Sequence, residues 1–157
     1  MTDAAPKAQP ILLFCSDLDG TLLGNPEAAQ RFKEAWEALP RRGRPLLVYA
    51  SGRLEDDIRR LVDAAELPAP ACLIAGVGTQ VHDFHRRSEL KEFTRRLNEG
   101  WDLRKIHRVL KAFEKVQPQP AEFLTAFKSS WYLNHATTEQ LDAIRAALAQ
   151  AGLDVNL

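Results

Sequence analysis

The sequence predicts an α/β fold: a parallel sheet core over residues 10–84, followed by a smaller α+β segment over residues 85–157. Residues 1–9 are expected to be a flexible lead-in. Three observations predict this layout. Short apolar runs at 11–15, 46–50 and 72–75 are bounded by Pro, Gly and small polar residues, as in the buried strands of a parallel sheet. Stretches with apolar residues at helical spacing separate them. From about Arg86 the pattern becomes charged and less regular.

The elements follow in order. Ile11-Leu-Leu-Phe-Cys15 reads as a strand buried on both faces. Asn25-Pro26 is a helix start, Asn capping and Pro in the first turn, and Ala29, Phe32 and Trp36 recur on one face. Arg41 to Pro45 breaks that helix, and Leu46–Ala50 is a second strand. Leu54, Ile58, Leu61, Val62 and Ala65 mark a second helix, stopped by Pro68 and Pro70. Cys72–Ala75 is a third strand, and the alternation in Thr79–Phe84 suits a hairpin arm. Thus 10–84 reads β-α-β-α-β, the pattern of a Rossmann-like sheet with right-handed crossovers.

Beyond Arg86, the residues 86–105 give no clear element. Ile106, Val109, Leu110 and Phe113 mark an amphipathic helix, and Gln117–Pro120 a loop. Phe123–Leu133 reads as a strand or hairpin. Thr137 with Gln140 fits a capping box before Leu141, Ile144 and Leu148, and Gly152 suits the helix end. Leu153–Leu157 begins another strand.

Composition excludes several classes of function. The 157 residues are 45% hydrophobic and 27% charged, with Lys and Arg (21) balancing Asp and Glu (21). That balance argues against a nucleic-acid partner, and no apolar run approaches a membrane span. The polar N-terminus lacks a signal-peptide core, and Cys15 and Cys72 read as free buried thiols. A cytoplasmic protein without a membrane or nucleic-acid partner is expected. A cysteine-nucleophile phosphatase is excluded, because residues 16–21 after Cys15 contain no Arg.

The chemistry concentrates at strand ends. Asp17-Leu-Asp-Gly-Thr-Leu22 sets two carboxylates two residues apart where the first strand stops. In open parallel sheets ligands bind at those carboxyl ends. Ser51-Gly-Arg53 follows the second strand, where a hydroxyl and exposed amides before a helix make an anion site. Asp56 and Asp57 fall in the first turn of the next helix and complement its dipole.

Asp-x-Asp-x-Thr after an apolar strand resembles the first motif of the haloacid dehalogenase superfamily phosphatases. The resemblance implies Asp17 as nucleophile, forming an aspartyl-phosphate, and Asp19 as general acid and then base. It implies magnesium held by Asp17 and the backbone carbonyl of Asp19. Thr21, Ser51 and Gly52 would order the loop and bind phosphate. Arg53 either joins that phosphate site or makes a surface salt bridge.

Ile74-Ala-Gly-Val-Gly-Thr-Gln-Val-His82, the Trp101 region and Phe127-Lys-Ser-Ser-Trp-Tyr-Leu133 resemble the sucrose-phosphate phosphatase group. That group implies a mobile cap over the site, here the segment 85–157. Gly78, Thr79 and Gln80 match its sugar-facing core loop, although an acidic residue is common at the Gln80 position. Lys128 matches a substrate-reaching cap lysine or is a solvated strand lysine. Trp101, Trp131 and Tyr132 read as cap core, and His82, His85 and His107 as hydrogen-bonding or surface residues.

Two motifs of the superfamily are not met in this chain: the phosphate-neutralising Lys and the later acidic metal motif. The resemblance therefore implies a chain that continues past Leu157. The expected function is hydrolysis of a sugar phosphate with magnesium, sucrose 6-phosphate first. Mannosyl-3-phosphoglycerate or another glycosyl phosphate, or a non-catalytic sugar-phosphate-binding role, are the alternatives.

Overall fold

A computed structural model describes residues 10–153. The expected lead-in and all but the first residue of the expected strand at 153–157 lie outside the described residues. The described chain divides into two compact units, one ending at Ser88 and one beginning at Glu89.

The first unit is built on the alternation read from the sequence. Strand β1 (Leu13–Ser16) leads to helix α1 (Pro26–Ala38), β2 (Leu46–Ala50), α2 (Glu55–Asp63) and β3 (Cys72–Ala75). A hairpin then gives β4 (Gln80–Asp83), and β5 (Ser88–Glu89) closes the sheet in the order β1-β2-β3-β4-β5. β1, β2 and β3 are parallel, with Leu13 opposite Leu46 and Tyr49 opposite Leu73, whereas β4 runs antiparallel to β3. Asn25 caps α1 as expected, its side chain accepting from the Ala28 amide with Pro26 in the first turn.

Successive crossovers in one direction put both helices on one face. Trp36 of α1 and Ile58 of α2 meet Leu47, Tyr49, Leu73 and Ala75 in one core, which also takes Leu18. Phe14 stacks on Phe32 and lies against Trp36 at that face, with centroids 5.7 and 5.8 Å apart.

The expectation that the first strand is buried on both faces is corrected. Among the described residues β1 is an end strand of the sheet, and no helix covers its other face. Leu13 is 55% exposed and Leu46, its register partner, 59%. Cys15 is therefore exposed and Cys72 partly so, not the two buried thiols expected; both are free.

Among its described residues the second unit holds three α-helices: α3 (Lys91–Leu97), α4 (Leu103–Leu110) and α5 (Thr138–Gln150). α3 lies in the charged stretch where no element was predicted, because none of its residues is buried and it shows no apolar stripe. The expected loop at 117–120 instead contributes β6 (Gln117–Pro118), which pairs antiparallel with β7 (Trp131–Tyr132). Between them Ala121–Phe123 forms one 3-10 turn, so the expected long hairpin shrinks to a two-residue ribbon. Ile106, Leu110, Ile144, Leu148 and Leu153 form the core, with Trp101 and Trp131 packed on it. The capping box at Thr137 and Gln140 forms, each side chain accepting from the other's amide. No helix among the described residues is long and apolar enough to cross a membrane.

Candidate active site

The loop after β1 is wound around one carbonyl. Leu18 is fully buried, and its oxygen accepts from the amides of Thr21, Leu22 and Leu23 at 3.1, 3.0 and 2.7 Å. Gly20, at φ +75°, lets the chain turn there, and its amide reaches Leu23 O at 3.0 Å. Strand alternation persists into the loop: Ser16 and Leu18 point inward, while Asp17 and Asp19 are exposed. Burying Leu18 thus presents both carboxylates on the opposite side. Thr21 Oγ1 donates to Asp17 Oδ2 at 3.4 Å, a long bond that links the two ends of the motif.

Ser51–Arg53 follows β2. Ser51 is buried and does not cap a helix, because α2 begins only at Glu55 with Leu54 at its cap. Its hydroxyl instead accepts from the Arg53 amide at 3.2 Å, and its own amide donates to Ile74 O at 2.8 Å. Gly52 is exposed beside it. Asp56 and Asp57 stand in the first turn of α2, as predicted, and Asp57 pairs with Arg60.

Arg53 faces the first motif. Its Nε donates to both Asp19 oxygens at 3.0 Å, and its Nη2 donates to Asp19 Oδ1 at 2.7 Å. The guanidinium pKa is raised, first by this hydrogen bond, against a smaller lowering by burial. The pair spans 34 residues of sequence, so spacing alone could not reveal it.

The turn from β3 to β4 completes the group. Gly76, Val77 and Gly78 all have positive φ, at 59, 61 and 80°. The amides of Gly76 and Val77 donate to Arg53 O and Ser51 O at 2.7 and 3.2 Å. A side chain at Gly76 would collide with Thr79 Oγ1, 2.8 Å from the added carbon. Thr79 Oγ1 donates to Gly76 O at 2.7 Å, and Gln80 Oε1 is buried with no hydrogen-bond partner. Sequence reasoning missed the left-handed Val77, although two flanking glycines are the signal for such a turn.

Two further features escaped the sequence. His82 Nδ1 lies 2.9 Å from Glu55 Oε2, and Arg59 binds the same carboxylate. Arg59 also donates to Phe84 O at 3.1 Å and lies over the Phe84 ring at 4.6 Å, tying β4 to α2. In the second unit, Lys128 sits in a turn where it and Thr125 exchange backbone hydrogen bonds at 3.2 and 3.3 Å. His107 meets Trp131 edge to face at 5.0 Å and is half-buried. Tyr132 is exposed and Trp131 half-buried.

Asp17 and Asp19 offer hard oxygen donors, and magnesium is commonly held by one or two carboxylates together with water and substrate phosphate. No cluster of three or more His, Cys, Asp or Glu side chains occurs among the described residues. The donors present fit a magnesium ion shared with a phosphate better than an all-protein cage.

Comparisons with known proteins cover nearly the whole chain. The family model for sucrose-6F-phosphate phosphohydrolase matches residues 10–157. Mannosylfructose-phosphate phosphatase of Agrobacterium fabrum is 41% identical over 150 residues, covering 95% of this chain. A putative HAD-like hydrolase of Nitrosococcus oceani is 27% identical over 77% of the chain and 34% of its own length. Among solved structures, the sucrose-phosphatase of Synechocystis sp. PCC6803, in complex with sucrose and phosphate, superposes with a TM-score of 0.81 at 26% identity, covering 95% of this chain. A haloacid dehalogenase-like hydrolase of Bacillus subtilis, at 19% identity and a TM-score of 0.54 over 94% of this chain and 57% of its own, shares the fold. The chain spans 60% of the Agrobacterium phosphatase and 59% of the Synechocystis chain. With the Asp17–Thr21 loop, its parallel sheet and a family model matched from Pro10 on, this chain belongs to the sucrose-6F-phosphate phosphohydrolase family of the haloacid dehalogenase superfamily.

Proposed function

We propose that this chain carries the nucleophile and acid/base pair of a magnesium-dependent phosphatase acting on a disaccharide phosphate, sucrose 6-phosphate first. One observation carries the reading: Asp17 and Asp19 leave the same side of a loop fixed on Leu18 O, and Arg53 of the neighbouring Ser51–Arg53 turn grips Asp19. In this mechanism an Asp17 oxygen attacks phosphorus while the bond from phosphorus to the sugar oxygen breaks, and Asp19 delivers its proton to that oxygen. Water then attacks the aspartyl-phosphate, Asp19 takes the water's proton, and phosphate leaves with the Asp17 carboxylate restored. Thr21, Ser51 and Gly52 hold the phosphoryl oxygens. The Asp17 carboxylate and the Asp19 backbone carbonyl would hold a magnesium ion, which would offset the charge repulsion between carboxylate and phosphate.

Gly78, Thr79 and Gln80 face the sugar, and Gln80 Oε1 awaits a donor such as a sugar hydroxyl. The second unit acts as the cap and presents Lys128 to the substrate. The alternative disaccharide is mannosylfructose phosphate, favoured by the 41% identity to its phosphatase; the two sugars share a fructosyl unit and differ in the hexose joined to it.

The test is a panel on the full natural gene product with magnesium: sucrose 6-phosphate, mannosylfructose phosphate, mannosyl-3-phosphoglycerate and p-nitrophenyl phosphate. Asp17→Asn should cut turnover by about 10³-fold or more, the scale seen when a covalent nucleophile is removed. Turnover that survives Asp17→Asn would sink the nucleophile assignment. Binding without turnover in the wild type would leave only the non-catalytic reading.

A further inference from the structure

The fork between Arg53 and Asp19 calls for an account that neither a phosphate ligand nor an ordinary surface pair supplies. Both Asp19 oxygens accept, at 3.0, 3.0 and 2.7 Å, so the carboxylate is held as an acceptor in a fixed plane. Side-chain exposures of 39 and 55% leave such a pair little to contribute to stability. Its anchoring is unusually complete. The Arg53 amide donates to Ser51 Oγ, its carbonyl accepts from the Gly76 amide at 2.7 Å, and Ser51 is itself bonded to Ile74 and Val77. The guanidinium therefore leaves from a backbone fixed to the ends of two strands, while Asp19 lies in a loop fixed to a third.

Resting on the phosphatase reading above, we infer that Arg53 is a positioning residue for Asp19, serving the step in which Asp19 removes a proton from water. Both oxygens of the Asp19 carboxylate lie within reach of the Arg53 fork. A fork of two nitrogens fixes its orientation, which a single ammonium cannot do. With p-nitrophenyl phosphate, whose phenolate leaves without a proton from Asp19, the first half-reaction, in which Asp17 attacks and the leaving group departs, depends less on this contact. Arg53 is then no ligand of the phosphoryl group.

Pre-steady-state kinetics on the full natural gene product with magnesium and ³²P-labelled p-nitrophenyl phosphate separates the two half-reactions. For Arg53→Ala, kcat should fall about 10²-fold, the scale of a general base, while kcat/KM changes by less than about threefold. Nitrophenol should appear in a burst near one equivalent, with label trapped on the protein. Arg53→Lys should not restore kcat, and inhibition by inorganic phosphate should be unchanged. Arg53→Gln, with folding checked by circular dichroism, provides a second variant that keeps most of the side chain.

Parallel losses in kcat/KM and phosphate inhibition, with rescue by Lys, would make Arg53 a phosphate ligand and overturn the proposal. Wild-type kinetics in Arg53→Ala and Arg53→Gln would reduce the fork to a surface salt bridge and also overturn it. A wild-type protein that cleaves no ester fails earlier: the phosphatase reading falls, and this assignment with it.

Discussion

β1 and β2 are neighbours that grow out of equally apolar runs, residues 11–14 and 46–50, yet they meet different fates. Leu46-Leu-Val-Tyr-Ala50 is paired on both edges, and its central residues Leu47, Val48 and Tyr49 are 2, 7 and 0% exposed. The run from Ile11 through Phe14 is as apolar, but Ile11, Leu12 and Leu13 are 66, 76 and 55% exposed. Register is unbroken between them, so pairing does not explain the difference. Place in the sheet does: β2 has a neighbour on each side and lies under the shared core, whereas among the described residues β1 has β2 alone. An apolar run thus specifies a strand but not its depth. β1 nevertheless carries the site, because only the inward face of its carboxyl end, Ser16 and Leu18, needs burial to present Asp17 and Asp19.

That contrast can be broken by deleting equal groups from the two places. Leu73 on β3 stands opposite Tyr49 and is fully buried. Leu73→Ala should cost about 2–5 kcal/mol in urea unfolding, since the removed atoms leave a cavity in a packed core. Leu13→Ala removes the same atoms from an exposed position and should cost less than about 1 kcal/mol. Equal losses would show that β1 is as deep as β3, the strand that pairs with the inner edge of β2.

Tyr49 sharpens the comparison by pH. Its Oη donates to Pro68 O at 2.8 Å inside the core, and burial pushes its phenol pKa well above the usual value. The native state therefore favours the neutral phenol. Its contribution is complete below the unfolded value of about 10 and is lost as pH rises beyond it toward the folded value. Tyr49→Phe should cost about 1–2 kcal/mol at pH 7, by orphaning Pro68 O. The gap to wild type should narrow in melts above pH 10. A constant gap would remove Tyr49 from the alkaline transition.

The fold was legible where a physical period spans enough residues to show. Three apolar runs, Asn25-Pro26 and the Thr137–Gln140 box all act locally, and they form the predicted elements. β6 and β7 were not legible, because two-residue strands carry no period and Gln117-Pro118 has loop chemistry. α3 failed for the related reason that an exposed helix needs no apolar stripe. At the site, the Asp17–Thr21 motif is contiguous and could be read directly. The fork from Arg53 to Asp19 and the bond from His82 to Glu55 join distant segments, so only the sheet topology reveals them.

A smaller effect belongs to the turn that β3 feeds. Val77 adopts φ +61° between Gly76 and Gly78 and is 69% exposed, so its side chain contributes little packing while its branched Cβ is strained. Val77→Asn should stabilise the chain by about 1 kcal/mol, because Asn tolerates the left-handed region. Destabilisation in thermal melts would mean that Val77 makes a contact worth more than its strain.

The smallest expected effect on stability falls on β1 itself. Leu13→Lys exchanges an exposed apolar side chain for one that keeps its stem along the sheet and its charge in water. On that ground unfolding should shift by no more than about 0.5 kcal/mol. The outer edge of β1 is unpaired among the described residues: a row of strand amides and carbonyls beside exposed apolar residues invites pairing with a further strand or another chain, and a lysine there opposes it. Leu13→Lys should therefore lower association of the protein in light scattering and sedimentation while leaving the unfolding midpoint nearly fixed. A shift of several kcal/mol would place Leu13 in a packed interface in solution, and β1 would then be an interior strand like β2.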